Sequence, residues 1–148
     1  MIKTLVKNRK AYFEYTIIEK YVCGVVLVGS EVKSIKSGKS SIEEAYCYIS
    51  DGEVFIKGMN VSPHKEGGPY YNHEVLRDRK LLLKKKEIIK IDEIIHQKGL
   101  TLIPLQIILS DRGFIKIEIA ICKGKNLYDK KQSIKLRDLD RELKQTKF

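Results

Sequence analysis

The stretch AYCYISDGEVFIKGMNV, Ala45 to Val61, decides how the fold is read. Tyr46 and Tyr48 on one side, and Val54 and Ile56 on the other, recur at every second position around Asp51-Gly52. Aromatic and β-branched residues at a period of two mark strands, and Asp-Gly supplies the two left-handed positions of a type I′ turn. The stretch predicts an antiparallel hairpin, with the rest of a sheet around it.

Downstream, Ser62 to Leu76 reads as a long loop carrying Pro63, Gly67, Gly68 and Pro69, then Tyr70, Tyr71, Asn72 and His73. Loops of this length in a small domain are usually functional, and aromatics beside basic residues suit base stacking. The alternative is a solvated loop with its tyrosines folded onto the domain. Arg79 to Gln97 carries a helical period, with Leu82, Leu83, Ile88, Ile89, Ile91, Ile94 and Ile95 set against Lys84, Lys85, Lys86 and Lys90. Gly99 closes that helix. Two more strands follow, Leu100–Leu109 and Phe114–Cys122, joined by a turn at Ser110-Asp111-Arg112-Gly113. Ile115, Ile117, Ile119 and Ile121 alternate with Lys116, Glu118 and Ala120, so one face of the last strand is core. Pro104 places its strand at an edge or a bulge.

Upstream, Tyr12 to Val28 is rich in strand-forming residues and is broken by Cys23-Gly24, giving two strands or one bent strand. Ser30 can cap a short helix, Glu31–Ser37, with Glu31 in its first turn. Val32 and Ile35 then face the core, Lys33 and Lys36 point out together, and Gly38 stops the helix. Met1 to Arg9 reads as a polar, frayed end that runs into the basic cluster Asn8-Arg9-Lys10.

These pieces make a mainly β chain. Its expected architecture is an OB-like barrel, closed or nearly closed, with two or three peripheral helices and a flexible basic C-terminal tail. Residues 1–122 form the barrel domain and 123–148 the tail, and a monomer is expected. The net charge of +10 over 148 residues is spread along the chain and favours a polyanionic partner. Cys23, Cys47 and Cys122 are an odd set without metal-like spacing, and no signal peptide precedes them. That points to a reducing cytoplasm. No apolar run approaches the ~20 residues of a membrane span, so no membrane partner is expected.

Enzyme chemistry finds no footing. There is no G-x-S-x-G, P-loop or H-E-x-x-H. The acidic pairs Glu43-Glu44 and Asp92-Glu93 are neighbours whose side chains point apart. No catalytic residue, metal or cofactor is implied. The basic segments say more. Arg77-Asp78-Arg79-Lys80 stands just before the long helix, and arginine suits bidentate phosphate contact. Lys33 with Lys36, and Asn8, Arg9 and Lys10, are two further clusters that a barrel could gather on one face.

The tail, read as a helix from Tyr128, places Lys130, Arg137, Arg141 and Lys144 along one stripe and Leu136, Leu139 and Leu143 on the other side. Three leucines are a narrow face, and an isolated helix of this length is marginal in water. The tail is expected to order on meeting an anionic partner. An ordinary surface helix, supported by Asp138–Arg141 and Asp140–Lys144, is the alternative.

Four blocks carry a resemblance: GSEVKSIKSG (Gly29–Gly38), RDRKLLL (Arg77–Leu83), QKGLTLIPL (Gln97–Leu105) and KGKNLYDKK (Lys123–Lys131). In order, spacing and total length the chain resembles the small protein B (SmpB) family of SsrA-binding proteins. The resemblance implies a non-enzymatic OB-like barrel that binds transfer-messenger RNA (SsrA RNA) and brings it to stalled ribosomes for trans-translation. It implies that the barrel grips the elbow of the tRNA-like domain, while the tail folds in the empty message channel by the decoding centre, against 16S ribosomal RNA. By position, the candidates for the RNA face are Asn8, Arg9, Glu31, Lys33, Arg77, Arg79 and Lys80, with Glu31 an acceptor either for bases or for a neighbouring basic side chain that it orients. Candidates for ribosome contact are Gly124, Lys125, Tyr128, Asp129, Lys130, Lys131, Lys135, Arg137 and Arg141. Lys36 and Lys131 stand where the family often has Arg, Val75 where Pro is common, and Asn126 where Lys is frequent.

Two rival readings follow from the residues. One is a general single-strand-binding OB module that stacks bases on Tyr48, Tyr70 and Tyr71. The other is a membrane-surface protein that uses the tail as a basic amphipathic helix, which three leucines and no Trp disfavour.

Overall fold

The computed structural model describes residues 3–63 and 74–124 of the chain. Among these, the Asp51-Gly52 hairpin forms as read. It joins β4 (Tyr46–Ser50) to β5 (Glu53–Lys57), and both turn residues have positive φ, 52° and 73°. Cys47 faces Ile56 and Ile49 faces Val54, so the odd positions of β4 point inward and Tyr46 and Tyr48 point out.

The remaining elements are β1 (Lys3–Lys7), α1 (Arg9–Glu14), β2 (Tyr15–Val25), α2 (Gly29–Lys36), β3 (Ser40–Ser41), β6 (Asn60–Val61), β7 (Arg79–Leu82), α3 (Lys85–Lys98), β8 (Thr101–Leu109) and β9 (Ile115–Gly124). The main sheet runs β1-β8-β4-β5-β7-β2-β9, and β9 also pairs with β8, so the sheet closes into an antiparallel barrel. β1 continues along β8 beyond the end of β4, and β3 pairs with β6 in a separate two-stranded ribbon. Two seams are short. β4 meets β8 only at Cys47–Leu102, and β2 meets β7 only at Gly24–Leu82 and Val25–Leu81.

Two register shifts shape the wall, one between Ile17 and Glu19 in β2 and one between Pro104 and Gln106 in β8. A bulge inserts one residue and so exchanges the two faces of a strand. Before the shift in β8, Ile103 and Leu105 face outward; after it, Ile107 faces in. The outward group joins Ala11, Ala120 and Cys122, with Tyr15 and Ile17 beside them, in a small apolar cluster under α1. The barrel interior is the main core: Cys23, Val54, Ile56, Leu81, Leu102, Ile107 and the inward isoleucines of β9, closed by Ile35 of α2 and Ile91 of α3. Pro104 thus marks a bulge and not a free edge.

Several boundaries differ from the expectation. Residues 3–14 are β1 and α1, because Asn8 caps α1 and its own N–H donates to the Leu105 carbonyl at 2.7 Å. Tyr12–Glu14 are therefore helical, and β2 runs unbroken through Cys23-Gly24. The segment Arg79–Leu82 is a strand and not the first turn of the long helix, which begins at Lys85. Period-two alternation of buried Arg79 and Leu81 was hidden because one of the two inward residues is charged. Ser30 does not head α2; that place belongs to Val28, whose N–H donates to Glu31 Oε1 at 2.9 Å. Gly99, in the left-handed region at φ 60°, ends α3 as read.

Candidate nucleic-acid interface

At one end of the barrel, Glu31 projects from α2 toward Arg79 of β7. Glu31 and Arg79 are both 0% exposed. Arg79 Nε donates to Glu31 Oε2, and Arg77 Nη2 donates to Glu31 Oε1 at 2.5 Å. Arg79 Nη1 donates to the carbonyls of Met59 and Arg77, each at 2.9 Å, and Nη2 reaches those of Glu74 and Val75 at 3.3 Å. An inward-facing guanidinium is therefore fully bonded. One carboxylate and four carbonyls hold it.

The pair's titration follows from this geometry. Burial works to raise the Glu31 carboxyl, but the bonds from Arg77, the Val28 N–H and Arg79 outweigh it and hold it below the usual range. Burial lowers the Arg79 guanidinium, opposed by Glu31, and at neutral pH it remains a cation. Arg77 is half-buried and lies over this pair, with a further reach from Nη2 to the Val26 carbonyl at 3.4 Å. Glu31 neutralises one arginine inside and holds a second at the surface.

Asn8 is a second anchor. Its Nδ2 donates to the carbonyls of Pro104 at 2.9 Å and Ile42 at 3.2 Å, and its Oδ1 accepts the Ala11 N–H at 3.1 Å. It is 1% exposed. Asn8, Glu31 and Arg79 are buried and bonded within the protein; Glu31 accepts from two neighbouring basic side chains, the second of the two roles expected of it, while Arg9 and Arg77 reach the surface. The segment Arg77-Asp78-Arg79-Lys80, expected just before the long helix, instead leads into β7, where Arg79 is an inward residue of a strand.

Comparison with known proteins now bears on this arrangement. A family profile described as SmpB protein matches residues 5–147. The chain belongs to the SmpB family. Its similarity to SmpB relatives runs nearly end to end. An SsrA-binding protein of Cytophaga hutchinsonii is 49% identical over 143 residues, 97% of this chain and 93% of that one. One of Fusobacterium nucleatum is 53% identical over 140 residues, 95% of this chain and 93% of that one. A chain of the solved structure described as "tmRNA-SmpB: a journey to the center of the bacterial ribosome" has a TM-score of 0.69 and 36% identity, covering 86% of this chain and 92% of that chain.

On this SmpB barrel, Arg9, Lys33, Lys36 and Gly124 are exposed, while Lys80 is partly exposed and paired with Glu53 at 3.1 Å. Glu31, Arg77 and Arg79 are in mutual contact, and Lys33 and Lys80 belong to the same two elements. Among the described residues no ion pair joins this group to Asn8 and Arg9. The candidates Lys125, Tyr128, Asp129, Lys130, Lys131, Lys135, Arg137 and Arg141 lie outside the described residues, as do Tyr70 and Tyr71. Tyr48, the described member of the proposed stacking platform, is already occupied: its ring stacks on Phe55 at 5.4 Å and its hydroxyl donates to Asp78 at 2.7 Å. Among the described residues no group of His, Cys, Asp and Glu could hold a metal, and no helix is long and apolar enough to cross a membrane.

Sequence reading missed one cluster. Lys7 at the end of β1 and Lys20 of β2 each bring an ammonium group over the ring of Tyr12 in α1, 5.7 and 5.8 Å from its centroid. Three residues on three elements share no sequence period, so no spacing announces them.

Proposed function

We propose that this chain is an RNA-binding adaptor, not an enzyme, which binds SsrA RNA and acts with it on stalled ribosomes in trans-translation. The observation that carries this reading is the family match over residues 5–147, together with the 36%-identical SmpB chain that covers 86% of this one. The bonding of Arg77 and Arg79 supports a division of roles within the RNA face. Arg77, Lys33, Lys80 and Arg9 meet phosphate and sugar, and Glu31, Arg79 and Asn8 hold them in place. Backbone contacts of this kind fix orientation on a folded RNA and read its shape.

The barrel, through the end of β9 at Gly124, acts as the RNA-gripping unit and the residues after it as the ribosome-contacting tail, a joint two residues beyond the expected 122/123 boundary. On this reading the tail, from Lys125 through Tyr128, Asp129, Lys130, Lys131, Lys135, Arg137 and Arg141, enters the empty message channel beside the decoding centre. It works as a monomer in the cytoplasm. The test separates the two halves. Arg77→Ala should weaken SsrA RNA binding in a filter assay, whereas truncation at Asp129 should leave that binding intact and abolish peptide tagging in a reconstituted translation system. Tagging by the truncated chain would refute the division of labour. Preference for single-stranded oligonucleotides over folded SsrA RNA, at fixed salt, would favour the general OB module instead.

A further inference from the structure

Lys7 of β1, Tyr12 of α1 and Lys20 of β2 meet on the outer wall of the barrel. All three are exposed, Tyr12 by 38%. Neither ammonium has a carboxylate within 4.0 Å among the described residues, in contrast to Lys10, Lys80 and Lys90, each of which is paired. Two like charges drawn to one ring repel each other. The negative face of the ring offsets part of that repulsion, since a cation over an exposed aromatic is favourable. Gathering the two charges raises the local positive potential, and an anion drawn to the cluster relieves it. The scaffold is firm on each side: α1 is capped by Asn8, whose N–H also ties it to β8, and Lys20 sits in the long β2–β9 pairing opposite Ala120. Arg9, exposed at the start of α1, adds a third cation on the same helix as Tyr12.

We propose that Lys7, Tyr12 and Lys20 form a preassembled cradle for the phosphodiester backbone of a folded RNA. Its chemistry is that of point charges: ammonium groups lack the fixed fork of a guanidinium, so the cradle takes phosphate without reading bases. This rests on the adaptor reading and adds to it a second contact surface, made of residues outside the Glu31–Arg77 group. The RNA backbone could belong to SsrA RNA or to ribosomal RNA, and the experiment has an arm for each.

The first measurement compares the wild-type chain with K7A/K20A for SsrA RNA affinity across a salt series. Each lost phosphate contact makes the plot of log affinity against log salt shallower by about 0.7–0.9, so the double variant should lose about 1.5 in slope. The second measurement needs no variant. Lys7 and Lys20 in the wild-type protein are acetylated by an amine-reactive reagent, alone, with SsrA RNA, and with ribosomes carrying it. Lys98, exposed at the end of α3, is the internal reference. Protection of both lysines by SsrA RNA assigns the cradle to that RNA; protection only on the ribosome assigns it to ribosomal RNA. Unchanged acetylation in both arms, with binding intact, overturns the cradle and leaves the adaptor reading standing. A wild-type chain that bound neither RNA would sink both.

Discussion

Replacing Glu31 by Ala tests the account of the barrel end most directly. The change deletes the carboxylate that is bonded to Arg79 among the described residues, a side chain with 0% exposure, and leaves that guanidinium charged and buried. Breaking a buried ion pair from one side costs about 3–5 kcal/mol. The bond from the Val28 N–H is lost as well, adding about 1 kcal/mol. Arg77 is 32% exposed and can turn into water, so its loss of a partner adds little. The expected total is about 4–6 kcal/mol, a large share of the ~5–15 kcal/mol that holds a domain folded. In urea, with a slope of ~1–3 kcal/mol/M, the midpoint should fall by about 1.3 M or more with the slope unchanged. Arg77→Ala is the control, expected to cost about 1 kcal/mol or less. A midpoint for Glu31→Ala close to that of Arg77→Ala would refute the reasoning, since it would mean that Arg79 finds water or another anion.

Three further outcomes are expected. The stabilisation that Glu31 provides is complete above the usual carboxylate range near ~4.3 and is lost as pH falls through its lowered folded value; the stability gap between wild type and Glu31→Ala, followed by urea titration, should therefore narrow only in acid, and a gap that closes at neutral pH would contradict the geometry. Gly58→Ala should destabilise more than Gly52→Ala in thermal melts: both have positive φ, but a Cβ at Gly58 would lie 2.9 Å from the Glu44 carbonyl oxygen whereas one at Gly52 meets nothing within 4 Å. The three thiols should resist a disulfide reagent at mild alkaline pH until the chain unfolds, because burial pushes Cys23 up to about 12, Cys122 to about 11 and Cys47 well above its ordinary value; fast labelling of the native protein would count against a dry interior.

Where sequence and structure agree, the local chemistry left one choice. Asp51-Gly52, Gly99 and the strict alternation of isoleucines in β9 each have a single backbone solution. The misread elements share a different cause. Arg79 looks like a solvated charge unless Glu31, distant in sequence, is known to meet it. Asn8 looks like part of a basic surface cluster, yet its amide spans two carbonyls that only the folded barrel brings near. Of the frayed start expected for residues 1–9, the described part, from Lys3 on, is ordered for the same reason: β1 is held by pairing with β8, a partner at the far end of the described chain. Long-range polar contacts leave no periodic trace. The candidate site was thus legible as a set of names through family resemblance, while the distinction between holding and touching was not.

The short seams divide the wall into two curved leaves, β4-β5-β7 and β1-β8-β9-β2, each paired along its length and joined to the other at only a few rungs. Opening at such a joint breaks few ladder bonds, so amide exchange at Cys47 and Leu102 should run ahead of exchange deep in β8–β9. The two leaves meet again through the bridge from Glu31 to Arg79, which acts as a latch across the gap beside β2 and β7.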